Sequence, residues 1–182
     1  MTRVGKILTA LVLVLVVGAC DSRLEKTDGG GVILTITDFD GLPILVAVNS
    51  TTLLQVEEIT VSNFPKDASA PTSSLMNVEI FSYEVTFTRA DDGTRLPVSF
   101  VRGIFGEAPV NGTYVLENAP IMGFDQFNNP PLSDLLFQNG AIDSETGRRR
   151  IALNLRLRFF GRTLSGDEVQ TQSAAFTIDF TP

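Results

Sequence analysis

Four arginines, Arg148, Arg150, Arg156 and Arg158, occupy positions of one parity in the stretch RRRIALNLRLRFF. A guanidinium is always charged and grips carboxylate or phosphate with two parallel hydrogen bonds. In an extended strand, alternate residues share a face and lie about 6.6 Å apart. The spacing therefore predicts a row of anion-binding groups on one side of a sheet. Arg149 and Arg162 stand close by, so six of the chain's 14 basic residues fall within positions 148–162. Such a row could dock an acidic protein, a lipid headgroup or an anionic envelope polymer. The plainer expectation is a solvated outer face, paired across strands to acids such as Asp179 or Glu168 and discouraging edge-to-edge association.

Other chemistry is thinly represented. The chain has no histidine and one cysteine, which removes Ser-His-Asp and Cys-His catalysis and the commonest zinc ligand. Glu57-Glu58 is an acidic pair, but neighbours in a strand point to opposite faces and cannot flank one substrate. Asp38-Phe39-Asp40-Gly41, Asp91-Asp92-Gly93 and Asp143-Ser144-Glu145 resemble fragments of calcium loops, yet each lacks the later ligands. Asp before Gly is an ordinary way to build a turn. No glycine-rich phosphate loop or nucleophile elbow is present. The expectation is a protein that is not an enzyme and needs no cofactor and no metal.

These residues must be positioned by strands. Tyr83, Val85 and Phe87 alternate with Glu84, Thr86 and Thr88, and Ile151 to Phe159 and Phe176 to Phe180 repeat the period of two. Strict alternation marks strands with one face on a core and one in water. Strands are predicted near 32–38, 42–48, 53–62, 76–88, 95–101, 112–117, 150–160 and 168–180. In the fourth, apolar parity changes from Val78 and Ile80 to Phe81 and Tyr83, which predicts a β-bulge near Ile80-Phe81. Eight strands joined by tight turns give an all-β fold, an antiparallel two-sheet sandwich immunoglobulin-like in architecture only, because the core Trp and inter-sheet disulfide are absent. Residues 118–149 interrupt the pattern. Pro130 to Gly140 reads as a short helix near 130–140 with Leu132, Leu135 and Leu136 on one face. This insertion is expected to plug an open end of the sandwich, or else to cover a ligand pocket.

The first twenty residues supply the location. Arg3 and Lys6 precede an apolar run from Ile7 to Val17, and Gly18-Ala19 lead to Cys20. The run is shorter than the roughly 20 residues needed to span a bilayer and has the layout of a secretory signal. The order Val17-Gly18-Ala19-Cys20 resembles the lipobox of bacterial lipoprotein precursors. That resemblance, confined to residues 1–20, implies cleavage before Cys20 and a diacylglyceryl group on its sulfur. It also implies attachment to a bacterial membrane with the domain outside the cytoplasm. Asp21 resembles an inner-membrane retention signal of enterobacterial lipoproteins, which other lineages ignore.

The expected organisation is a signal peptide (1–19), a lipidated Cys20 with a tether ending in Gly29-Gly30-Gly31 (20–31), and one domain (32–182). The tether's eleven residues after Cys20 span about 18 Å on a root-mean-square basis. Cleavage would remove two of 14 basic residues and none of 21 acids, leaving a net charge of −9. Such a surface argues against nucleic-acid binding. The expected function is a membrane-anchored, non-enzymatic binding or assembly module of the cell envelope. The alternatives are a structural envelope lipoprotein without a specific ligand, or a small-molecule binder with an apolar pocket under residues 118–149.

Overall fold

The computed structural model describes residues 29–49 and 53–182. The predicted signal peptide, Cys20 and most of the predicted tether lie outside the described residues. Two sheets face each other. The smaller contains β1 (Val32–Asp40), β3 (Leu54–Pro65) and β6 (Gly112–Met122), in the order β1-β3-β6. The larger runs β2 (Leu45–Ala47), β9 (Ala174–Thr181), β7 (Ile151–Thr163), β4 (Val78–Arg89) and β5 (Phe100–Ala108). A short β8 (Glu168–Gln170) pairs with the far end of β7, on the side that β9 occupies lower down.

The all-β sandwich follows from the alternation. Val78, Ile80, Tyr83, Val85 and Phe87 of β4 turn inward, as do Ile151, Leu153, Leu155, Leu157 and Phe159 of β7. They meet Leu34, Val56, Ile59, Val61, Ala119 and Ile121 of the smaller sheet in one apolar core. Burying an aliphatic or aromatic side chain contributes roughly 1.5–3 kcal/mol. The central pair β4–β7, with inward side chains along its whole length, is therefore the energetic spine. Two polar links cross between the sheets. The Tyr83 hydroxyl donates to the Pro120 carbonyl, and burial pushes its pKa up to about 12. The Asn63 amide of β3, fully buried, donates to the carbonyls of Met76 and Ala108, each at 2.9 Å.

The parity change in β4 is a real bulge. The register breaks between Ile80 and Ser82 against both β5 and β7. Phe81 is thereby turned out, and Val78–Ile80 and Tyr83–Phe87 both face the core.

Several expectations need correction. There are nine strands rather than eight among the described residues, because the run 168–180 divides. Thr171 causes the break: its hydroxyl accepts from the Phe159 N–H and its own N–H donates to the Phe159 carbonyl, both at 3.0 Å. The larger sheet is mixed rather than wholly antiparallel, since β2 leaves the smaller sheet and lies parallel to β9. The fifth strand begins at Phe100, not at residue 95, because Thr94 and Arg95 are drawn into contacts with Glu145.

The helix expected near 130–140 is not there. A five-residue helix, α1 (Phe124–Asn128), precedes it, and 132–139 forms two 3₁₀ turns separated by an extended Leu136. Side-chain hydrogen bonds compete with helix formation here: Asn139 donates to the Ser133 carbonyl, and Asp134 accepts from Ser144. Gly140, at φ 101°, ends the second turn.

Candidate functional site

The predicted arginine row is split by the start of β7. Arg148 and Arg150 precede the strand, whereas Arg156 and Arg158 project from its outer face. Arg148 Nη2 is 2.8 Å from Asp92 Oδ2, and both side chains are well exposed. Arg150 Nε is 3.3 Å from Asp179 Oδ1, the cross-strand acid anticipated from sequence.

Further up the sheet, Arg156 lies opposite Thr86 of β4 and Ala175 of β9, and Arg158 lies opposite Glu84. Glu84, Thr86, Arg156, Arg158 and Ser173 line a shallow depression of about 170 Å³. Among the described residues, no carboxylate lies within ion-pair distance of the exposed Arg156. The depression thus offers a guanidinium and two hydroxyls, with Glu84 as the acid beside them. That donor set can bind a carboxylate or phosphate group by hydrogen bonds and charge. Arg162, also on β7, lies between Glu79 and Glu168 in the register.

A second constellation escapes sequence reasoning. At the opposite end of β4, Arg89 is 3% exposed and its Nη2 is 2.7 Å from Asp143 Oδ2. Its Nε contacts Asp91. Asp143 is fully buried and also accepts from Thr146 Oγ1 at 2.7 Å and the Glu145 N–H at 3.3 Å. Asp91 accepts from the N–H groups of Ala152 and Gly93. Glu145 takes the Thr94 and Arg95 N–H groups at 2.9 and 2.8 Å and the Thr94 hydroxyl at 2.6 Å. Arg95 reaches Asp134 and Ser144. Two arginines and four carboxylates thereby clasp segment 89–95 to segment 134–146.

Burial disfavours ionisation of Asp143, but hydrogen bonds from Thr146 and Arg89 outweigh it, and its pKa falls below the ordinary carboxylate value. Asp91 and Asp134 behave alike: burial opposes the charge, while Arg89 and Ser144 respectively lead the groups that hold it. Glu145 is lowered chiefly by the Thr94 hydroxyl. Gly93 is required by close approach, since a Cβ there would stand 2.2 Å from the Arg89 guanidinium carbon.

The two Asp-containing turns that suggested calcium fragments therefore do meet in space, with Arg89 supplying the positive charge between them. Among the described residues, no three Asp, Glu, His or Cys side chains are arranged to hold a metal ion. No sequence signal announces the clasp, because Arg89 and Asp143 are 54 residues apart.

The 118–149 insertion presents mostly filled space to the core. Ile121, Met122, Leu132 and Leu135 are fully buried, and Phe127 packs edge-on against Phe180 with ring centroids 6.1 Å apart. Among the described residues, no helix is long and apolar enough to cross a membrane.

No family model and no curated protein matches the chain. Among solved structures, the X-ray structure of Northeast Structural Genomics Consortium target SoR45 resembles it at 10% identity and a TM-score of 0.38, covering 87% of this chain and 90% of that one.

Proposed function

We propose that this chain is a lipid-anchored protein of the bacterial cell envelope whose sandwich serves as a non-enzymatic binding or assembly module for an anionic partner. The observation that carries the binding role is Arg156: exposed, without a carboxylate partner among the described residues, and fixed on the most deeply packed strand of the larger sheet. The strand fixes the backbone beneath that cation, so meeting a carboxylate costs only the side chain's own rotamer freedom. The anchoring role is supported by the basic, apolar and small-residue order that ends at Cys20. Acyl chains contribute about 0.8 kcal/mol of membrane affinity per buried methylene, so two or more make attachment lasting. The packing of Leu132 and Leu135 favours the plug over a ligand pocket beneath residues 118–149.

Two variants test the two halves. Cys20→Ser is expected to move the protein from the membrane to the soluble fraction, and unchanged membrane association would remove the lipid anchor. Arg156→Ser with Arg158→Ser is expected to abolish in-cell crosslinking to a dominant acidic partner while leaving the unfolding curve in place. Capture at the wild-type level would end the role given to this face.

A further inference from the structure

We propose that β5 is a self-association edge, through which two copies of this chain join their larger sheets into one continuous sheet. Among the described residues five strands are edges: β2, β5 and the short β8 in the larger sheet, β1 and β6 in the smaller. Exposed edges invite pairing unless they are short, bent, charged or interrupted by proline. Four of the five are protected. β2 and β8 have three residues each. β1 has a register break between Ile36 and Asp38 and carries Asp38 and Asp40. β6 carries Glu117, the positive-φ residue Asn118 and Pro120.

β5 is protected least: its pairing with β4 shifts between Gly103 and Gly106 and it carries Arg102 and Glu107, but Val101, Gly103, Phe105 and Glu107 stay on the exposed face through the shift. It runs nine residues, FVRGIFGEA, without lysine or proline, and pairs only with β4 among the described residues. Its outward side chains include Val101, 64% exposed, and Phe105, 86% exposed.

The occupant follows from the spacing of those residues. A two-fold axis normal to the sheet, passing through Gly103, sets two copies of β5 antiparallel. Val101 of each copy then lies directly opposite Phe105 of the other, and directly opposite residues on one face are the stabilising unit of a sheet. Arg102 falls opposite Ile104, Val98 opposite Ala108 and Glu107 opposite Ser99, so no like charges meet. Moving the axis to Arg102 would set two guanidinium groups face to face. Moving it to Ile104 would set Val101 against Glu107. Only the Gly103 axis pairs both exposed apolar residues with each other. Glycine at the axis leaves no side chain between the closely approaching backbones. A strand that is complementary to itself in this way fits a second copy.

The test exploits the single natural cysteine. In full-length protein carrying Cys20→Ser, Gly103→Cys would place two thiols opposite each other at the axis. The cysteine fits, because a Cβ at 103 meets nothing closer than the Phe81 carbonyl at 4.0 Å. Under mild copper–phenanthroline oxidation it should form a disulfide-linked dimer at least tenfold faster than Glu107→Cys in the same background. Adding Phe105→Asp should bring its rate down to that of Glu107→Cys. A second arrangement does not depend on Gly103. Val101→Cys and Phe105→Cys chains, each with Cys20→Ser, should crosslink when mixed and not when alone. Circular dichroism checks that each variant is folded. Equal trapping at 103 and 107, trapping of 101 or 105 alone, crosslinking only to a foreign protein, or monomer throughout would overturn the proposal.

Discussion

Arginine and carboxylate meet inside the clasp at the Arg89 end of the β4–β7 pair and again at the surface of β7 and of the segment before it, and the two regions use them oppositely. In the clasp the charges are largely buried, each carboxylate is met by several donors, and two loops are tied together. At the surface Arg148 and Arg150 each have one carboxylate partner, and Arg156 has none among the described residues. Water decides the difference. Taking a charge out of water costs several kcal/mol, so a buried ion persists only when an opposite charge is held against it. A solvated one tolerates having no partner and remains free to acquire one. Charge density alone would nominate either region as a binding site, but burial assigns one to architecture and leaves the other available.

The comparison can be broken most sharply at Asp143. Asp143→Ala leaves Arg89 paired with Asp91 but its buried Nη2 without an acceptor, and should cost about 1–3 kcal/mol, read as a lower denaturant midpoint in equilibrium unfolding. A loss below about 1 kcal/mol would mean that the clasp is decorative.

Acid is the next lever. The folded pKa values of Asp91, Asp134, Asp143 and Glu145 lie below ordinary values of 3.8 for Asp and 4.5 for Glu. As pH falls, the unfolded chain takes up protons first. The clasp's contribution is therefore complete above those ordinary values and is lost as pH drops through the folded ones. Unfolding midpoints measured from pH 6 downward should be flat and then fall below pH 4.5, with a shallower fall in Asp143→Ala. Equal slopes for the two proteins would detach the acid sensitivity from the clasp.

The outer face should respond least. Arg150→Ala removes an exposed pair with Asp179 and should cost about 0–1 kcal/mol, shrinking further in high salt. A loss comparable to that of Asp143→Ala would erase the distinction between the two regions.

What could be read from the sequence divides along the same line. Strands with one dry and one wet face write their period into the chain, so β4, β7 and β9 are legible, and so is the bulge at Phe81. β5 is an edge strand whose Phe100–Ala108 run mixes glycine, arginine and exposed apolar residues. Its alternation is blurred, and the expected strand stops at residue 101, just inside the true start. The outer arginines are legible as a group because neighbours in sequence stay neighbours in a strand, although β7 begins too late to hold Arg148 and Arg150. The clasp was hidden, since Asp91 and Asp143 look like ordinary turn residues until the sheet brings their loops together.

The β4–β7 ladder also sets a schedule. It joins Val78 to Thr163 and Arg89 to Leu153, so the spine of the larger sheet cannot close until about nine-tenths of the chain has been made. Pairings of such long range are slow to form, because the intervening chain must be brought to order first. During synthesis β4 waits without its partner β7 for about two-fifths of the translation time. A polypeptide that folds this late remains threadable as an extended chain, which is the state that the proposed export would require of it.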